Sequence, residues 1–171
     1  MDNVEFWSVI ARARGTTSPE AGSAEASNLK QVLESFATAE VKAFSRRYNE
    51  LLCELNTWEL WGAGYVLQGG MGDDEFHYFL SWVIGKGEAV FRVAKDEPDS
   101  LANYVGDEDV DNEALEYAAL DVLEDRSVAD PRDEFDGFPD DDPTGEEWDE
   151  DEVGDLYPGC LQVSRRRGNL E

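Results

Sequence analysis

Val41, Phe44, Tyr48, Leu51, Leu52 and Leu55 recur at i, i+3, i+7, i+10, i+11 and i+14. That spacing sets them all on one stripe of a helix, with Glu40, Lys42, Arg46, Arg47, Glu50 and Glu54 off it. A stripe this wide has to be buried against other elements, so it dictates what the rest of the chain must supply. No run alternates apolar and polar residues with period two, so those elements are helices. Thr38 stands where this helix needs an N-cap.

Shorter stretches on either side repeat the pattern. Asp2 or Asn3 opens a helix carrying Phe6, Ile10 and Ala13, and Gly15 ends it; Leu29, Val32, Leu33 and Phe36 mark a second. Thr57 caps a helix with Trp58, Trp61 and Tyr65 in step. Gly62 and Gly64 within it cost about 1 kcal/mol each relative to alanine, a loss that close approach of a neighbouring helix offsets. Beyond Gly69 and Gly70, Phe76, Phe79, Leu80 and Val83 form the next stripe, with Trp82 on another face. Val90, Phe91 and Ala94 follow, and Asn112 caps a helix with Leu115, Ala118, Ala119, Val122 and Leu123 on one face and Glu116 off it. The expected architecture is all-α: a compact bundle of about six to seven short helices.

Charge divides the chain. Of a formal net charge of −26, residues 96–155 carry −24, against −4 for residues 1–95 and +2 for residues 156–171. After Pro131 the helical periodicity fails, in a run rich in Asp, Glu, Gly and Pro with isolated Phe135, Phe138 and Trp148. We therefore expect a helical domain over residues 1–130 and an acidic, largely irregular tail over 131–171, which buries too little apolar surface to offset its ordering entropy. Within the tail, residues 156–161 are apolar enough to dock on the core. Such a charge balance repels phosphate backbones and anionic lipid, which excludes direct nucleic-acid binding, and it suits a basic protein partner. No apolar run approaches the roughly 18–20 residues that span a bilayer, and no basic segment precedes an apolar one at the start. Cys53 and Cys160 lack metal-type spacing, and the expected location is the cytoplasm.

A set of residues carries a resemblance. It comprises Phe6-Trp7 and Ile10, then Trp58-x-Leu60-Trp61-x-Ala63-x-Tyr65, and Gly69-Gly70-x-x-Asp73-Asp74-x-Phe76-x-x-Phe79-x-x-Trp82-x-Ile84-x-x-Gly87. Pro98-Asp99-Ser100-Leu101-Ala102 completes it. Over roughly residues 2–125 the chain resembles an uncharacterised bacterial family, common in actinobacteria, known as domain of unknown function 4240. The resemblance implies a small helical domain and supplies no activity.

Asp73 and Asp74 open a helix after the glycine turn, where carboxylates complement free N–H groups and the helix dipole, worth about 0.5–2 kcal/mol. His77, one turn on, makes Asp73, Asp74 and His77 weak candidates for a metal or acid–base site, although a metal would need further ligands from another helix. Asp140 and Asp142, with Asp151 in the twelfth place, approximate a calcium loop that Pro143 and Glu147 interrupt. Trp58, Trp61, Tyr65, Gly69, Gly70, Asp73, Asp74, His77 and Trp82 outline an aromatic groove, the foremost candidate for a binding surface. No catalytic set and no cofactor motif forms around the single histidine. The expected function is a non-catalytic cytoplasmic interaction or regulatory module, using this groove and the acidic tail. Two other classes stay open: a small metal-assisted or acid–base enzyme centred on Asp73, Asp74 and His77, and an acidic mimic of nucleic acid.

Overall fold

The computed structural model describes residues 1–15, 23–106, 108–129, 131 and 142–168. Its helices are α1 (Asn3–Arg14), α2 (Ala26–Glu34), α3 (Thr38–Leu55), α4 (Trp58–Gln68), α5 (Asp73–Lys86), α6 (Glu88–Asp96), a 3-10 helix (Pro98–Asn103), α7 (Glu113–Asp125), α8 (Val153–Leu156) and α9 (Pro158–Arg167). The described residues contain no strand, only an isolated bridge between Thr57 and Thr144, so the chain is all-α. None of the helices is long and apolar enough to cross a membrane, among the described residues.

The apolar spacing places the core. All six residues of the α3 stripe are buried, as are Phe6, Ile10, Phe79, Val83 and Leu123 from the helices around it. Phe6 stacks on Phe44 at 4.7 Å, and Trp7 meets Phe91 at 5.2 Å, so α1, α3 and α6 converge on one aromatic seam. Helix α7 lies against α2, α3 and α5, while α4 packs on α5, α9 and the 3-10 helix. Gly64 is what lets α4 approach so closely. A Cβ there would lie 2.9 Å from the Met71 sulfur and from the Phe79 ring, which is the helix approach expected of this glycine.

Local caps follow the sequence at α1. The Asp2 carboxylate accepts from Glu5 N–H (2.8 Å) and Glu5 accepts from Asp2 N–H (3.0 Å), while Gly15 closes the helix at φ 71°. At α3 the expected cap is displaced: Ala37 is the N-cap, and the Glu40 carboxylate takes its N–H at 2.7 Å. The Thr38 hydroxyl instead accepts from Arg126 at 3.1 Å. That guanidinium also donates to Phe36 O (3.1 Å) and Glu34 O (3.2 Å), so one fork satisfies carbonyls around the end of α2. Asn112 likewise does not cap α7 with its side chain; its amide donates to Ala24 O (2.9 Å) and Ser23 Oγ (3.0 Å).

The acidic tail contributes to the fold. Residues 142–149 lie alongside the α3–α4 junction, and α9 packs against α4 and the 3-10 helix. Val153, Tyr157, Cys160 and Ser164 are buried, while Glu146, Glu147, Asp149, Glu150, Asp151, Glu152 and Asp155 face solvent. We refer to residues 142–157 as the strap.

Candidate functional site

Helix α4 begins where the Thr57 hydroxyl accepts from Leu60 N–H at 3.1 Å, the cap expected from sequence. From that start Trp58 and Trp61 stack at 5.0 Å with planes 6° apart, and Trp61 stacks on Phe76 of α5 at 4.9 Å and 5°. The Trp61 indole N–H donates to Met71 O at 3.1 Å, which fixes the ring against the turn between the helices. Trp58, Trp61 and Tyr65 thus form a half-buried aromatic row.

The strap occupies this row. Trp148 sits edge-on to Trp58 (6.0 Å) and Trp61 (6.3 Å) and lies 4.8 Å from the Tyr65 ring. Its indole N–H donates to Trp58 O at 2.9 Å. Upstream, Thr144 N–H donates to Asn56 O (3.1 Å) and Thr144 O accepts from Trp58 N–H (2.9 Å), a parallel main-chain pairing. Gly62 provides the room: a Cβ there would lie 2.6 Å from the Tyr157 ring and 3.0 Å from the Trp148 ring. At this glycine the closely approaching element is the tail.

Downstream, Asp99 of the 3-10 helix receives the first turn of α9. Its carboxylate oxygens accept from Gly159 N–H (3.0 Å) and Cys160 N–H (2.9 Å). Burial foremost, then the Asp99 charge, pushes the Cys160 thiol up and keeps it protonated. Burial, then the carboxylate of Glu59, pushes the Tyr157 phenol up to about 12. The Tyr65 phenol is raised as well, by burial and by the Glu150 carboxylate beside it.

The remaining sequence candidates are separated. Gly69 (φ 74°) and Gly70 (φ 135°) make the turn out of α4. Asp73 and Asp74 lie exposed in the first turn of α5, and Gly72, the N-cap, gives its N–H to the Glu75 carboxylate. Trp82 does not line the groove. It is 1% exposed, stacked on Phe79 at 5.7 Å, with Lys86 Nζ 5.4 Å from its ring centre. The Lys86 ammonium, itself buried, bonds Glu108 at 3.0 Å. Among the described residues no three His, Cys, Asp or Glu side chains gather as metal ligands do. Asp142 and Asp151 are exposed, and Asp140 lies outside the described residues.

His77 faces α7. Its Nε2 is 2.6 Å from Glu116 Oε2, with side-chain exposures of 21% and 5%. Sequence reading set Glu116 off the buried face of α7, yet the residue is buried there. It stands three residues before Ala119 and seven before Leu123, so the helical spacing carries the signal. Behind the pair lie Tyr48 and Ser81. Burial drives the Tyr48 phenol upward, the neighbouring Ser81 hydroxyl draws it back, and the Glu116 charge adds to the rise. The pair links α5 to α7 and, when His77 is protonated, makes a short ion pair.

No curated protein matches the chain, and no solved structure matches it. The family described as protein of unknown function DUF4240 matches residues 1–125, which include Trp58, Trp61, Gly62, Tyr65 and Asp99 but not the strap. A match over that share of the sequence means that the chain belongs to the DUF4240 family.

Proposed function

We propose that this chain is a non-catalytic interaction module that docks a basic protein partner in the cytoplasm. One observation carries the reading. Between residues 146 and 155, Trp148 and Val153 are turned toward the helices, while Glu146, Glu147, Asp149, Glu150, Asp151, Glu152 and Asp155 are presented to solvent. Anchored in this way, the carboxylates form a fixed face, and a partner binding there spends less on ordering than it would on a free tail. Complementary charge steers association and sets partner choice.

Titration with poly-lysine tests the reading. Glu146, Glu147 and Glu152 changed to Gln should weaken binding about tenfold and flatten its salt dependence. Asp111→Asn with Glu113→Gln and Glu124→Gln removes the same charge from elsewhere on the surface and should cost far less. Equal losses in the two triple variants would show net charge at work and not a docking face.

A further inference from the structure

Three features of residues 144–148 hold the strap to α4, and none of them is a carboxylate. The first is main-chain pairing, in which Thr144 exchanges hydrogen bonds with Asn56 O and Trp58 N–H. A pairing of this type reads an extended backbone and accepts any side chain except where proline removes the N–H. The second is Gly145, at φ 99°, where a Cβ would stand 2.5 Å from a Glu59 carboxylate oxygen. The left-handed backbone is what favours glycine there, since the exposed Glu59 side chain can move aside. The third is the notch that takes Trp148, floored by Gly62, walled by Trp58, Trp61 and Tyr65, with Trp58 O accepting the indole N–H at 2.9 Å. Glu146 and Glu147, between the glycine and the tryptophan, are exposed.

The acceptor lies inside the family-matched residues 1–125, and its occupant lies outside them. The occupant is also electrostatically unfavourable, since it brings acids to residues 1–95, which already carry −4, and Glu59 stands directly against Gly145. A segment with the same anchors and basic residues between them would replace repulsion with attraction. We propose that this face of α4 is a peptide receptor for a Gly-x-x-Trp segment with basic residues between and just after the two anchors, on a partner protein, and that residues 144–148 occupy it as a built-in competitor. This deepens the interaction reading above, on which it rests for the sign of the partner's charge. Tethering gives the strap an effective concentration on the order of millimolar. The incoming segment therefore gains its full affinity only when the strap's hold is loosened.

The test uses the full chain and a fluorescein-labelled peptide, Asp-Pro-Thr-Gly-Lys-Lys-Trp-Lys, which copies residues 142–149 with lysine at the three acidic places after the glycine. Fluorescence anisotropy should give at least about tenfold tighter binding to Trp148→Ala than to the unaltered chain, since tethered competition is removed. Thr144→Pro loosens the strap from its other end without touching the notch, and it should raise affinity in the same direction. It keeps the test valid if Trp148→Ala fails to fold, which circular dichroism reveals. Against either loosened variant, the peptide with Trp replaced by Ala, or with the threonine nitrogen methylated, should bind at least about tenfold more weakly. Equal binding of the Trp and Ala peptides would overturn the receptor and leave the acidic docking face standing, because charge alone then suffices. Equal binding to loosened and unaltered chains would overturn the competitor. Absence of binding to every form at low salt would overturn both this inference and the basic-partner reading.

Discussion

The Asp99 carboxylate accepts the backbone N–H of Cys160 at 2.9 Å, so a side chain of the 3-10 helix caps the first turn of a helix that starts 59 residues later. Removing it should therefore act on α9 first. Asp99→Ala is expected to cost about 1–2 kcal/mol, the upper range for a helix cap because the acceptor is charged and bonds two donors. Hydrogen exchange should quicken across residues 160–167 while α3 keeps its protection. Unchanged exchange in α9 would mean that packing alone holds this helix.

Gly62 presents a contest between two known effects. Alanine in its place gains about 1 kcal/mol of helix propensity, whereas overpacking against two aromatic rings costs about 1–3 kcal/mol. The Cβ would press on Tyr157 and Trp148, rings with little freedom to retreat, so Gly62→Ala is expected to destabilise. Urea midpoints measure the sign, and a more stable Gly62→Ala chain would show that the strap yields without cost.

His77 and Glu116 should behave as one unit. In a double-mutant cycle, His77→Ala and Glu116→Ala are expected to couple by about 0.5–3 kcal/mol, as partners in contact do. Asp73→Asn and Asp74→Asn, in the exposed first turn of α5, should each change stability by no more than about 1 kcal/mol, through the helix dipole alone. A coupling near zero between His77 and Glu116 would remove the proposed tie between α5 and α7.

Tyr157 makes the fold sensitive to alkali. In the unfolded chain its phenol ionises near the usual value of about 10, and in the folded chain burial holds it at about 12. The raised value favours the neutral phenol, so its contribution is complete below pH 10 and is lost as pH rises through 12. The loss amounts to about 2–3 kcal/mol. Tyr157→Phe should flatten the decline in melting temperature over that window, and an unaltered decline would place its origin in other groups.

The bundle was legible where spacing alone decides burial. The stripe on α3, the Phe76–Val83 face of α5 and the caps at Asp2 and Thr57 all depend on residues within a turn or two of one another. Distant partners defeated the same reasoning. Thr38 stands one residue inside α3 and its hydroxyl accepts from a guanidinium at the far end of α7, and Glu116 found its counterpart on α5. Trp148, an isolated tryptophan in an acidic run, gives no periodic signal, and only the notch over Gly62 reveals its place. Of the residues expected in the groove, Trp58, Trp61 and Tyr65 share one row on α4 beside Trp148, and Trp82 was included because a residue off its helix's main stripe reads as a surface residue. The close neighbours on its other sides bury it.

The pairing of Thr144 with Asn56 joins residues 88 apart in sequence. During synthesis at roughly 5–20 residues per second, helix α4 emerges about 4–18 seconds before the segment that will cover it. For that interval a nascent chain carries Trp58, Trp61 and Tyr65 bare, and whatever recognises tryptophan-lined surfaces at the ribosome meets them before the chain's own Trp148 does.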